Sequence, residues 1–476
     1  MQLSNTFRIS ILFGATLFLT YTSNHRYFSV SDTRSATLIP VAMLRGDGPF
    51  LDRFSSFLQF DSEPGEELPR YAKWSRGHLV SLYPVGPAIV ALPFYFPQVL
   101  LLDRHSPGWD QDQGRYFEYR VTQMAKVAAS AIAALTGVAI YVMLTRFGLS
   151  RVALPAAIAA ALGSDLWAVG SQDLWQHAPA ALWFAIAVAL IMPYPATKVR
   201  LFLAGGATAA LVACRAIDIV FALAIVLYVA RFETRGLTWF LPLPILIGGA
   251  LTAYNLWFFG TVAGGQLHMR DAFVRAHGLK GFWSGNMIEG AAGTLLSPSH
   301  GLFVFCPWVA FILSALPCLA SRIKAWPIVR FLMWTLVANL LILSCYPMWW
   351  GGHCFGPRYW IDAIPIFAII LGFTLEWARH RGRLIMLSIT ASIVFAVAVQ
   401  SLGAFRYDLP WDDLPTDVDV DPERLWDWND SVLLRCVWPP ANLAVREQQA
   451  SAERNLAAAK DRRTAERHQK AASGSK

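Results

Sequence analysis

Two residues carry side chains suited to chemistry in settings that would sharpen it. Asp32 stands in "SDTRSATLIPVAMLRGDG" (31–48), just past the first apolar run; Arg358 closes "WWGGHCFGPRYW" (349–360), a polar turn between two long apolar stretches. A carboxylate at the edge of a hydrocarbon phase is partly desolvated and accepts a proton from an incoming hydroxyl, which makes Asp32 a candidate general base. An Asp in "SDT" equally suits a helix cap at a membrane surface. A guanidinium is always charged and forked for two parallel hydrogen bonds, so Arg358 suits a phosphate, and a snorkelling arginine among headgroup-level tryptophans is the other reading. The "GG" and "GP" around it favour the first, because they build a compact turn that lets backbone approach a ligand. Trp349, Trp350 and Trp360 can wall such a site or stack on a sugar; an interfacial aromatic belt accounts for them as well.

Further candidates lie elsewhere in the chain. "LWQHAP" presents Gln176 and His177 at the start of an apolar run, where His177 can bind a phosphate oxygen, ligate a metal or cap the helix. Arg215 and Asp218 are ionisable groups inside an apolar stretch, which marks a salt bridge, a functional cavity or both. Arg34, Tyr83 (in "GHLVSLYPVGP", 77–87) and His353 complete the candidate substrate-binding set. The histidines lack the i, i+4 pairing of a helical zinc site, so no metal ligand is assigned, although a divalent metal is compatible with the chemistry.

The elements that must position these residues are membrane helices. Of the 476 residues 55% are hydrophobic and 15% charged, and apolar runs recur throughout, which places the chain among all-α polytopic membrane proteins. The net charge of +8 is then read first as a topology signal, and no nucleic-acid partner is expected. The six cysteines show no paired ligand spacing; a Cys354 to Cys436 bridge is conceivable but unforced. No small-x-small cleavage site follows the first apolar run, which reads as an uncleaved span.

Spans are expected near 7–27, 120–145, 152–168, 176–194, 238–259, 301–320, 327–347, 360–378 and 384–404, with 200–231 a short hairpin whose tip holds Arg215 and Asp218. Short Lys/Arg-rich loops at 146–151, 198–200, 231–235, 322–324 and 379–383 face the cytoplasm. Residues 79–102 are long enough to span but carry prolines at 84, 87, 93 and 97, so they read as interfacial or re-entrant. This gives about eleven spans, a cytoplasmic N-terminus and a large first extracytoplasmic loop over 28–119 with juxtamembrane helices. If 79–102 crossed the membrane, Asp32 would lie on the opposite face from Arg358. The membrane domain covers 1–404, an extracytoplasmic segment 405–440, and a polar tail, disordered or a solvated helix, 441–476.

In this orientation every unusual polar-aromatic stretch emerges outside. With "GSDLWAVGSQDLWQHAP", "YNLWFFGT", "LLSPSHGLFVFCPW" and "GGHCFGPRYW", the order of motifs resembles the GT-C superfamily of integral-membrane glycosyltransferases, near the protein O-mannosyltransferase and aminoarabinose-transferase type and a bacterial subgroup of uncharacterised members. The likeness covers most of 1–435. It implies an enzyme of the bacterial inner membrane, in cell-envelope glycan biosynthesis, with a polyprenyl-phosphate sugar as donor and a glycan, lipid or protein as acceptor. It also implies inversion at the anomeric carbon, Asp32 as base, and Arg358, with Arg215 and His177, stabilising the departing lipid phosphate. The chain departs from the family pattern in having Thr33 where many relatives have a second acidic residue, and Arg215-Ala216 where Arg-Pro is expected. A glycan polymerase or ligase using undecaprenyl-diphosphate oligosaccharides is the nearest alternative. A lipid-linked sugar transporter or flippase is the other, for which repeat symmetry is expected and none is evident.

Overall fold

The computed structural model describes residues 2–27, 30–60, 68–276, 280–407 and 410–438; the tail expected after 441 lies outside them. The described residues are mostly helical, with one antiparallel hairpin pairing Ala72–Ser75 and His78–Ser81. Among the described residues six helices are long and apolar enough to cross a membrane: Gly86–His105, Arg115–Arg146, Pro242–Phe259, Pro327–Ser344, Arg358–Ala378 and Arg383–Arg406. The bent pair Pro307–Ser314 and Leu316–Ala325 would make a seventh, broken at Ala315, with Pro317 in the first turn of the second helix.

The long central helix is Arg115–Arg146, whose 32 residues extend about 48 Å at helical rise. Its buried face is rich in small residues, among them Ala125, Ala128, Ala129, Ala133 and Gly137, so neighbouring helices come close. Gln2–Thr22, Ala153–Leu162 and His177–Ile191 pack around it. The expected hairpin is present: Lys198–Cys214 and Ile219–Phe232 are separated by the short turn that carries Arg215 and Asp218.

The prolines of 79–102 do not break that segment. Residues 79–81 belong to the β-hairpin, and Gly86–His105 is one continuous helix. Pro87 falls in its first turn, where no intrahelical N–H is lost, and Pro93 and Pro97 both sit on its exposed side. Ile89, Phe96, Leu100 and Leu101 are exposed on the same helix, whereas Ala88, Ala91, Tyr95 and Val99 are buried. The helix runs alongside Ser31–Leu44 and is tied to it at both ends. Tyr83, just before its start, donates to Asp32, while Asp103, near its end, accepts from Arg45 at 2.6 Å.

The start of this helix also sets the site's depth, because Gly86 lies flat against the backbone of Ala213, two residues before Arg215. A Cβ there would collide with the Ala213 carbonyl. Gly86→Ala is therefore expected to cost about 1–3 kcal/mol, since a carbonyl in a helix cannot step aside. A thermal melt of the detergent-solubilised protein, beside an Ala substitution at open Gly248, measures it.

Candidate active site

Asp32 is the second residue of Ser31–Leu44, two positions past the N-cap, which is Val30. Its side chain is thus free for tertiary contacts. Oδ2 accepts from Arg358 Nη2 at 2.9 Å, and Oδ1 accepts from the Tyr83 hydroxyl at 2.5 Å. Arg358 is 9% exposed and Asp32 33%, so the pair sits at the edge of the protein interior with the carboxylate toward the open side. Burial, then the Asp32 charge, pushes the Tyr83 hydroxyl well above its ordinary value, which keeps it a donor.

Arg358 is held flat against aromatic rings: its guanidinium lies 4.3 Å from the centroid of Trp175 and 5.4 Å from that of Tyr359. Gly351 and Gly352, at φ of 89° and 71°, turn the chain past it. A Cβ at Gly351 would stand 3.3 Å from Arg358 Cγ and Nε, so glycine both permits the turn and makes room for the guanidinium. Arg358 Nε is buried with no hydrogen-bond partner among the described residues.

The residues beside Asp32 fix it from behind. Thr33 Oγ1 donates to Asp173 Oδ2, and Arg34 pairs with Glu118 at 2.8 Å while lying over Phe57. Burial pushes the Asp173 carboxyl up to about 6, against the hydrogen bond from Thr33. Arg34, expected to bind substrate, is instead an anchor for its helix, because Glu118 already holds it. The acidic partner absent at position 33 is supplied in space by Asp173 from another loop.

A second ionic group lies on the other side of Tyr359. Arg215 Nη1 contacts Asp362 Oδ2 at 2.6 Å and Asp218 Oδ1 at 2.9 Å, and His177 Nδ1 lies 3.0 Å from the same Asp362 oxygen. Tyr359 stands between the two arginines, 5.6 Å from the Arg215 guanidinium. Two carboxylates neutralise Arg215, so it is not the open phosphate ligand expected from the sequence, and His177 faces a carboxylate. Gln176 is half-buried at the N-cap position of His177–Ile191 without capping it through its side chain.

The tryptophans of the turn are buried, not exposed as sugar-stacking walls. Trp349 packs on Gly293 and Trp426, Trp350 donates to Asp419 at 3.2 Å, and Trp360 to Thr294 at 3.0 Å. His300 Nε2 lies 3.0 Å from the Cys354 carbonyl; Phe305 packs on Phe355, and Ser297 donates to the Leu425 carbonyl at 2.6 Å. "SPSHGLF" and "PERLWDWND" are therefore braces for the turn that holds Arg358. Cys354 is a buried thiol, not bridged to Cys436.

His353 points away from this centre, toward Asp417 (3.2 Å), Asp413 (3.3 Å) and Asp419 (3.7 Å). Ligand atoms of His353, Asp417 and Asp419 lie within 4.8 Å of one another, a spacing a divalent ion can bridge, but the same atoms pair as imidazole and carboxylates. Here His353 anchors the 410–438 segment.

Sequence reasoning left Trp175, Tyr359, Asp173 and Asp362 out of the site. Trp175 and Tyr359 adjoin His177 and Arg358, and Asp362 is an acidic residue at the head of an apolar run, a signal that was there to be read.

Two outcomes follow from these pairings. Asp362→Ala leaves Arg215 with one carboxylate in a buried setting and is expected to destabilise the protein by about 3–5 kcal/mol, read by thermal melting against Asp413→Ala on the surface. The 410–438 segment loosens as pH rises. Burial works to lower the His353 pKa, yet Asp412 and three further aspartates outweigh it and hold it above 6.5. Its stabilisation is complete below 6.5 and is lost as pH climbs through that raised value. Burial raises Asp412 from 3.8 to about 7, and its ionisation over that interval pushes the same way. Amide exchange over 410–438, corrected for the intrinsic rate, is expected to quicken between about pH 6 and 8, with a smaller rise in His353→Gln.

Compared with models of known protein families, with curated proteins and with solved structures, the chain matches none, so the case for its function rests on the site's own chemistry.

Proposed function

We propose that the protein is an integral-membrane glycosyltransferase of GT-C type that moves a sugar from a polyprenyl-phosphate carrier to an acceptor hydroxyl at the extracytoplasmic face. The observation that carries this reading is the 2.9 Å contact of Asp32 with Arg358, which pairs a partly open carboxylate with a buried guanidinium from 326 positions away. A base and an anion-binding cation, set side by side at the rim of an apolar core, are the two groups such a transfer needs.

The contact also supports the eleven-span topology. Residues that touch lie on one face, so the chain between Asp32 and Arg358 crosses an even number of times; with Gly86–His105 lying along the surface the count is about eight. The ties of that helix to both ends of Ser31–Leu44, and its exposed apolar side, suit a juxtamembrane helix resting in the interface.

In the reaction the acceptor oxygen attacks the anomeric carbon as Asp32 takes its proton. The bond from that carbon to the phosphate oxygen breaks, and the electron pair leaves with the lipid phosphate. Arg358 meets the charge that develops there. Attack from the side opposite the leaving group inverts the configuration. Tyr83 orients the carboxylate through Oδ1, and Arg215 acts at a distance, holding Asp362 and the ring of Tyr359.

Mass spectrometry of polyprenyl-phosphate sugars in membranes of cells lacking the protein tests this directly. One monosaccharide-linked species should accumulate, and wild type should clear it while Asp32→Asn should not, losing about 100-fold or more in rate. An unchanged pool, or equal clearance by Asp32→Asn, would favour a polymerase, ligase or transporter instead.

A further inference from the structure

Asp32 as it stands is not ready to act. One oxygen accepts from Tyr83 and the other from Arg358, so both are engaged before any substrate arrives. Arg358, by contrast, is underused: its Nε has no hydrogen-bond partner among the described residues, its face is packed on Trp175, and its one ion-pair partner is the exposed carboxylate. A guanidinium with an unpaired buried donor and a displaceable anion is set to exchange that anion for a better one.

We propose that Asp32 is a resident competitor for Arg358, and that the donor's phosphate releases the base by taking the arginine from it. The inference rests on the carrier-phosphate reading above and deepens it by giving the order of events. Phosphate brings more oxygens than the carboxylate and can engage Nε together with an Nη, the bidentate contact that Asp32 does not make. Displaced from Arg358, Asp32 keeps the Tyr83 hydrogen bond through Oδ1 and exposes Oδ2. The base is thus freed by the donor, and an acceptor hydroxyl arriving first meets a carboxylate whose two oxygens are both engaged.

Competition for one cation has a reciprocal signature: whatever removes the carboxylate's charge must tighten phosphate binding. The test is equilibrium binding of a polyprenyl monophosphate to the full-length protein in nanodiscs, read by native mass spectrometry. Asp32→Asn is expected to bind it about 5- to 100-fold more tightly than wild type, although inactive in transfer. Asp32→Ala, which also removes the charge, should do the same. Tyr83→Phe leaves the Asp32 to Arg358 pair in place and should show no such gain, and Arg358→Gln should bind weakly whether or not Asp32 is present. Equal or weaker binding by both monodisperse Asp32 variants overturns the release of the base while leaving the carrier reading intact. No binding by wild type or by either variant overturns the carrier reading, and this inference with it.

Discussion

The ion pair between Asp32 and Arg358 is the constraint around which this end of the molecule is arranged. It joins the first helix after the N-terminal span to a turn near the C-terminal end of the chain, and neither residue could be held there by its local sequence alone. Breaking a buried charge from its partner is costly, so the surroundings must bring the two sides together accurately. On one side Thr33, Arg34 and Tyr83 reach Asp173, Glu118 and Asp32 itself. On the other, glycines admit Arg358 into a nest of aromatic rings. Rigidity of both walls is what makes one exposed carboxylate chemically distinct from the many others.

A division of labour among the cations follows. Arg215 is satisfied twice over by Asp362 and Asp218, and Arg34 by Glu118. The Arg215 pairs lend shape, because a buried charge balanced by two carboxylates has little to gain from a further ligand. Arg358 has a single half-buried carboxylate partner and a buried Nε without a hydrogen-bond partner among the described residues, so an anion has something to gain from it. Tyr359, flanked by both guanidinium groups, links the structural cation to the reactive one without letting them share a ligand.

Much of this was legible in the sequence. Five of the expected spans, near 120–145, 238–259, 327–347, 360–378 and 384–404, are helices long and apolar enough to cross a membrane, and the break within 200–231 is a turn between two helices, because apolar length and its interruption are local signals. Asp32 and Arg358 stood out because a carboxylate after a span and an arginine in a glycine-rich turn are uncommon in type and place. The salt bridge of Arg215 with Asp218, three residues on, was legible; its second partner, Asp362, and the Glu118 that holds Arg34 were not, being distant in the chain. The burial of Trp349 and Trp350 was not legible for the same reason: the residues that cover them, Gly293, Trp426 and Asp419, are far away in sequence. The proline-bearing helix Gly86–His105 was obscured by a rule about hydrogen bonds that matters less when the missing bonds all fall on one outward side.

The braces of the 349–360 turn come from both earlier and later parts of the chain, with Ser297 bonded to Leu425 and Trp350 to Asp419. During synthesis this corner is therefore the last to be completed. A chain that ended before residue 410 would hold every long apolar helix and still lack the contacts that pack Trp349 on Trp426 and tie Trp350 to Asp419, so the turn carrying Arg358 would be left half braced.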